Sequence, residues 1–174
     1  VTLQLSDNLD PILQSVDFNL PTDQVLLIES TYPANAVAFL QLLSGKLQTS
    51  SGKVLWNNEN IFNSDSVVDP RDTMGCYFEN YRAGSKETLK SVLYDYLGQE
   101  EFEFVVDYFD LKEYVETELK SLPYSFQKMT YLIKSAARDK QVLILEDPAS
   151  GVDESQWLAF LDYIQLRQRR GYLR

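Results

Sequence analysis

The chain has 174 residues, 44% of them hydrophobic and 13% aromatic, with a net charge of −10. A chain of this size buries roughly 70% of its unfolded surface, which suits one domain with a real core and excludes a disordered polymer. The charge argues against a nucleic-acid partner, no apolar run approaches the ~20 residues that span a bilayer, and a single cysteine with no histidine excludes an internal disulfide and histidine-based acid–base or metal chemistry.

The first ten residues lack the basic and apolar regions of a signal peptide, so the expectation is a soluble cytoplasmic chain without direct membrane insertion. Leu3 and Leu5, then Val16, Phe18 and Leu20, alternate as strands with one apolar face. The continuous apolar run Val25 to Ile28 predicts a strand buried on both faces, and hence a parallel sheet. Ala34 to Ser44 reads as a helix closed by Gly45. Lys53 to Trp56 ends at an Asn57-Asn58 turn, which predicts a hairpin returning to Ile61. Met74 to Phe78 reads as a short strand in which Cys76 is a small core residue.

The middle of the chain is helical in pattern. Phe102, Val105, Val106 and Phe109 recur at i, i+3, i+4 and i+7, leaving Glu100, Glu101, Glu103 and Asp107 for solvent. Met129, Leu132, Ile133, Ala136 and Ala137 form a second apolar stripe that leads into a buried strand, Gln141 to Leu145. Asp153 begins the last helix, with Gln156 placed for a capping box and Trp157, Phe160, Leu161 and Ile164 on its inner face. Arg167, Arg169, Arg170 and Arg174 meet no acid and read as a solvated helix end whose cations suit the C-terminal dipole. Strands alternating with helices imply an α/β domain with right-handed crossovers.

Residues 22 to 45, TDQVLLIESTYPANAVAFLQLLSG, are similar without gaps to the strand, phosphate loop and helix of ATP-binding-cassette (ABC) ATPases. SGKVLWNNENI resembles the hairpin of that family, and RDTMGCYFENY the strand entering its Q-loop, with Glu79 at the glutamine position. Residues 122 to 153, LPYSFQKMTYLIKSAARDKQVLILEDPASGVD, keep the frame from the signature motif to the D-loop. The resemblance covers nearly the whole chain and implies a P-loop NTPase-like ABC ATPase domain. Its layout would be a parallel core sheet, an N-terminal antiparallel β subdomain and a small helical subdomain. In that layout residues 1–174 form one domain, with 1–79 the β and core part, 80–125 the helical subdomain and 126–174 the return to the core.

The same resemblance implies that the nucleotide chemistry is lost. Glycines of the family loop let backbone N–H groups approach the phosphates, a lysine neutralises them and a hydroxyl holds magnesium. Here Ala36 stands at the lysine position and Val37 at the hydroxyl position; the glycines are absent and Pro33 removes a donor. Thr31 and Asn35 read as cap or turn residues. Pro123 and Tyr124 occupy the signature positions whose amides would clamp a phosphate on the opposite subunit. Glu146 stands at the magnesium-ligand position and Asp147 at the catalytic-base position, an acidic pair in swapped order. Ser150-Gly151-Val152-Asp153 matches the D-loop, with Asp153 equally an N-cap. An adenine-stacking aromatic before Ile12 and a switch histidine are both missing.

The resulting expectation is a catalytically inactive ABC-type nucleotide-binding-domain homologue, with no ATP, magnesium or other metal bound. It would serve as a structural or regulatory subunit of a membrane ABC transporter-like complex, peripheral to the inner face of the membrane through its partner. That partner would be an ABC transmembrane subunit, another ABC ATPase subunit, or both, met through Glu79, Tyr81, Tyr94, Tyr96 and Asp153. One alternative is a degenerate half of a heterodimeric transporter ATPase whose partner supplies residual turnover. Another is a stand-alone binding module that reuses the emptied cleft.

Overall fold

The computed structural model describes residues 13–21, 24–62, 69–84, 86–137 and 140–171. The fold is α/β, with four α-helices and two small sheets among those residues, and it divides into two compact units, Val1–Met74 with Arg174, and Gly75–Leu173.

In the first unit the helix α1, Pro33–Leu43, lies one residue N-terminal to the expected Ala34 to Ser44. Proline suits the first helical position because its φ is preset and its missing N–H has no helical acceptor there. Ala38, Phe39 and Leu42 form its buried face, against which Leu13, Val16, Ile28, Leu43, Leu47 and Val54 pack. Gly45 closes the helix in the left-handed region, at φ +74°, as its place after the last apolar residue predicts. The antiparallel hairpin also appears, as β1, Leu55–Trp56, and β2, Glu59–Asn60, with Leu55 opposite Asn60. Asn57 and Asn58 turn it with positive φ at both positions, the geometry that matches the twist of the flanking strands.

The strand expectations over Val16 to Leu20 and Val25 to Ile28 fail. Residues 24–30 adopt no strand, Val25 is 95% and Leu27 78% exposed, and only Ile28 of the run is half-buried. An apolar run becomes a strand only when another backbone offers a ladder, and no described residue forms one with it. Phe18 and Leu20 are likewise exposed and not in a strand, although Phe18 sets its ring edge-on to Phe39 at 5.7 Å. Leu3 and Leu5 lie outside the described residues, as do Ile12 and Arg174.

The second unit contains the larger core. Strands β3, Met74–Tyr77, and β4, Val142–Leu145, are neighbours. The amide of Glu146, just past β4, donates to the carbonyl of Tyr77 at the end of β3 (3.0 Å), so the two strands finish side by side as in a parallel pair. Parallel pairing among the described residues is confined to these two. Gly75 is required by close approach: a Cβ there would stand 1.7 Å from the carbonyl oxygen of Ser135. Cys76 lies half-buried in β3.

Helix α2, Leu89–Tyr108, starts at a reciprocal capping box between Thr88 and Ser91 and breaks at Gly98, whose φ of 72° and ψ of 170° leave two helical segments. Its predicted apolar residues are in place, with Phe102, Val105 and Val106 buried. Helix α3, Tyr124–Ser135, is buried from Lys128 onward except at Lys134, Thr130 and Tyr131 included. Helix α4, Glu154–Arg169, is capped by Asp153, whose carboxylate accepts from the Gln156 amide. Its buried residues are Phe160, Tyr163 and Arg167, whereas Leu161, expected inside, is exposed.

Two charged residues therefore sit opposite to expectation. Arg167 is no solvated cation: its side chain is 2% exposed and that of Glu101 13%. Arg167 Nη1 donates to Glu101 Oε1 at 2.7 Å, and the Tyr163 hydroxyl donates to the same oxygen at 2.8 Å. Charge alone suggested solvent for both, but an ion pair closed by a hydroxyl can be buried where a lone charge cannot. Arg169 and Arg170 do remain exposed in the last turn.

Candidate functional site

In the first unit, the segment matched to a phosphate loop turns two of its own amides inward. The Tyr32 amide donates to Ser30 Oγ at 3.2 Å, the Asn35 amide to the Tyr32 carbonyl at 2.9 Å, and Pro33 has none to give. Beside it lies a cavity of about 210 Å³ lined by Leu13, Val16, Ile28, Ala36 and Phe39, with the polar residues Glu29, Ser30 and Asn35. A carboxylate and apolar side chains thus face the space in front of α1, and Ala36 adds no charge to it.

The second unit has the more organised site. The i, i+3, i+4, i+7 face of α3 presents Tyr124, Gln127, Lys128 and Tyr131 to Tyr77 at the end of β3 and to Glu79, Tyr81 and Arg82 in the segment that leaves it. Together these eight side chains line a pocket of about 400 Å³.

Lys128 organises this pocket from below. Its ammonium is fully buried and donates to Glu79 Oε2 at 2.8 Å, to the Asp147 carbonyl at 2.7 Å and to the Ser150 carbonyl at 2.6 Å. Three donors thus meet three acceptors, which is how a buried cation is accommodated. Glu79 also accepts from the hydroxyls of Tyr77, at 3.0 Å, and Tyr124. Partial burial pushes its carboxyl up, but the bonds from Lys128, Tyr124 and Tyr77 outweigh that and hold it below the ordinary glutamate range. Burial, and then the Glu79 carboxylate beside them, push the Tyr77 and Tyr124 hydroxyls upward.

The two acids after β4 are fixed by backbone rather than by each other. Glu146 turns its carboxylate to the Glu79 amide, with Oε2 accepting at 3.0 Å. Asp147 is exposed and held at φ 39°, a left-handed conformation that non-glycine residues avoid, with its carbonyl tied to Lys128. Gly151 lies under the ring of Tyr124, where a Cβ would meet the ring at 2.7 Å. The position matched to a signature glycine therefore carries a ring that packs on its own chain's D-loop segment.

Of the surface residues singled out in the sequence, the structure unites Glu79 and Tyr81 in the pocket. Tyr81 stacks on Tyr131 (centroids 5.2 Å apart, rings inclined by 9°) and on Tyr77 at 6.0 Å. Tyr94 and Tyr96 are exposed on the first segment of α2; Tyr94 stands edge-on to Phe102 at 5.4 Å, and Lys134 Nζ lies 4.0 Å above the Tyr96 ring. Asp153 acts as the α4 cap and also accepts from Ser155. Pro123 is the N-cap residue of α3. The residues that sequence reasoning missed are Tyr77, Lys128, Arg82, Gln127 and Tyr131. A signal existed for Lys128, a lone cation four residues before Leu132 on an otherwise buried helix face.

Among the described residues no group of three or more histidine, cysteine or acidic side chains is arranged to hold a metal ion, and no helix is long and apolar enough to cross a membrane. No family model matches the chain. The chain is similar to the cytochrome c biogenesis ATP-binding export protein CcmA of Reclinomonas americana. The two are 22% identical over 175 residues, covering 92% of this chain and 74% of that protein.

Proposed function

We propose that this chain is a catalytically silent ABC-type domain that works as a structural or regulatory subunit of a membrane ABC complex, through its surface rather than through a reaction. The likeness to CcmA supports an ABC ATPase-like subunit and no finer identity. The observation that carries the silent reading is the Lys128 network. The chain's own lysine and tyrosines take up Glu79, at the Q-loop position, and the Glu79 amide takes up Glu146, at the magnesium position.

A magnesium triphosphate does not fit the residues present. Its phosphates would meet Ala36 and Glu29 in place of a lysine, and a loop whose Tyr32 and Asn35 amides are already bonded. Preorganised donors of this kind are worth about 10²- to 10³-fold each, so losing several together removes turnover. No metal or nucleotide enters the mechanism on this reading. What the second unit supplies is an aromatic, hydrogen-bonded surface at Glu79 to Arg82, extended by exposed Tyr94 and Tyr96, for a membrane or ATPase subunit to rest on.

A second reading is favoured by the words "ATP-binding" in the relative's name: a degenerate half of a heterodimeric ATPase, with turnover supplied by the partner. Thermal shift separates the two. A ligand at 100 times its dissociation constant stabilises by about 2.7 kcal/mol; we expect no shift with millimolar ATP and magnesium, and a reproducible rise refutes the silent reading. In a complementation assay Glu146→Gln and Asp147→Asn should leave function intact, whereas Tyr81→Asp should release the co-purifying partner. Loss of function from the acid substitutions in a folded protein would establish the enzymatic alternative.

A further inference from the structure

The tyrosine pocket of the second unit already contains a cation of its own. The Lys128 ammonium lies 5.4 Å from the Tyr77 ring centroid, 6.0 Å from that of Tyr124 and 2.8 Å from Glu79. The rings and carboxylate that would attract a basic side chain are thus engaged internally. With Glu79 matched by Lys128, the charge left over at the pocket is Arg82.

The Arg82 guanidinium is fixed in place. Its Nη1 donates to the carbonyls of Glu79, at 3.1 Å, and Tyr81, at 2.9 Å, and among the described residues no carboxylate pairs with it. A guanidinium carries five N–H donors, so its remaining edge still offers the planar fork that fits a carboxylate. Beside it stand the exposed rings of Tyr81 and Tyr124, the first braced by the Tyr77 and Tyr131 stack. Two cations and one carboxylate line this aromatic pocket, and the carboxylates of Glu146 and Glu87 are engaged by the Glu79 amide and the Tyr131 hydroxyl, so the charge of the lining without a carboxylate partner is Arg82.

We propose that the pocket receives an acidic peptide segment of the partner. An aspartate or glutamate of that segment sits on Arg82, and the apolar side chain next to it lies against Tyr81 and Tyr124. The proposal rests on the protein-docking reading given above and adds the chemistry of the docked segment. A basic segment is disfavoured by Arg82, and a purely apolar one leaves the Arg82 fork without an acceptor.

Small probes test it on the intact chain. Phenylacetate, benzyl alcohol and benzylamine share a ring and differ in charge, and their binding can be followed by chemical-shift perturbation at the tyrosines. Phenylacetate should bind in the millimolar range and benzylamine at least about tenfold more weakly. Arg82→Gln, an exposed substitution whose melting temperature serves as the folding control, should weaken phenylacetate by about tenfold while Arg82→Lys loses less. Benzylamine binding as well as phenylacetate, phenylacetate binding unchanged in Arg82→Gln, or no probe binding at all overturns the proposal. Co-purification separates the two layers of argument. Partner release by Tyr81→Asp but not by Arg82→Gln leaves docking intact and removes the acidic segment; release by neither removes the docking reading itself.

Discussion

Replacing Lys128 by methionine tests the organisation of the second unit most directly. The substitution keeps the stem's volume and deletes one fully buried ammonium with its bonds to Glu79, Asp147 and Ser150. Removing one member of a buried pair commonly costs about 3–5 kcal/mol, because the other charge is left uncompensated. Here the cost belongs at the lower end. The Glu79 side chain is 38% exposed and keeps two tyrosine donors, and the loop carbonyls of Asp147 and Ser150 belong to exposed residues that can turn to water. We therefore expect a loss of about 2–3 kcal/mol, read as a lower urea midpoint at unchanged m-value. The double variant Lys128→Met/Glu79→Gln should recover part of that loss, since no unpaired carboxylate remains. A loss below about 1 kcal/mol, or a double variant that loses the sum of both singles, refutes the view that this ion pair organises the loops.

Glu79 also sets an acid limit. Its folded carboxyl titrates below its unfolded value, so its contribution is present above the ordinary glutamate range and is lost as pH falls through the depressed folded value; urea titrations from pH 7 to 3 should show that loss flattened in Glu79→Gln. Arg167→Met should cost about 3–4 kcal/mol by leaving Glu101 buried without its cation, whereas Lys90→Ala, at the exposed Glu116 pair, should leave the midpoint unchanged. Gly75→Ala should cost about 3 kcal/mol or more, because the new methyl meets backbone rather than a movable side chain; a urea midpoint that corresponds to a loss below about 1 kcal/mol would sink that argument.

Local signals explain what the sequence discloses. Proline before an apolar period and glycine after it mark α1, the Asn57-Asn58 pair marks the hairpin, and the Asp153 cap marks α4. Each is written within a few residues, so no knowledge of distant neighbours is needed. The misreadings all concern partners far along the chain. Val25 to Ile28 has the composition of a buried strand, yet composition cannot state whether another backbone lies alongside. Glu101 and Arg167 look like surface charges until the fold sets them 2.7 Å apart across 66 positions. The candidate site divides in the same way. Tyr81 and Glu79 were readable as surface from the motif frame, whereas Lys128 acquires its role only when the Asp147 and Ser150 carbonyls close over it.

The run VLLIE at residues 25–29 has a consequence for handling the protein. It combines high β-propensity, no proline and a single acid, and its backbone has no ladder partner among the described residues. Those are the attributes of a segment that templates strand addition between molecules. The counterweight is the charge of −10, which keeps copies apart by repulsion that acts over about a Debye length. That protection vanishes as pH approaches the isoelectric point near 4.5 and weakens as salt rises. Dilute buffer at neutral pH is accordingly the condition under which this chain stays dispersed, and acidification in strong salt is the condition under which strands of neighbouring molecules will find each other.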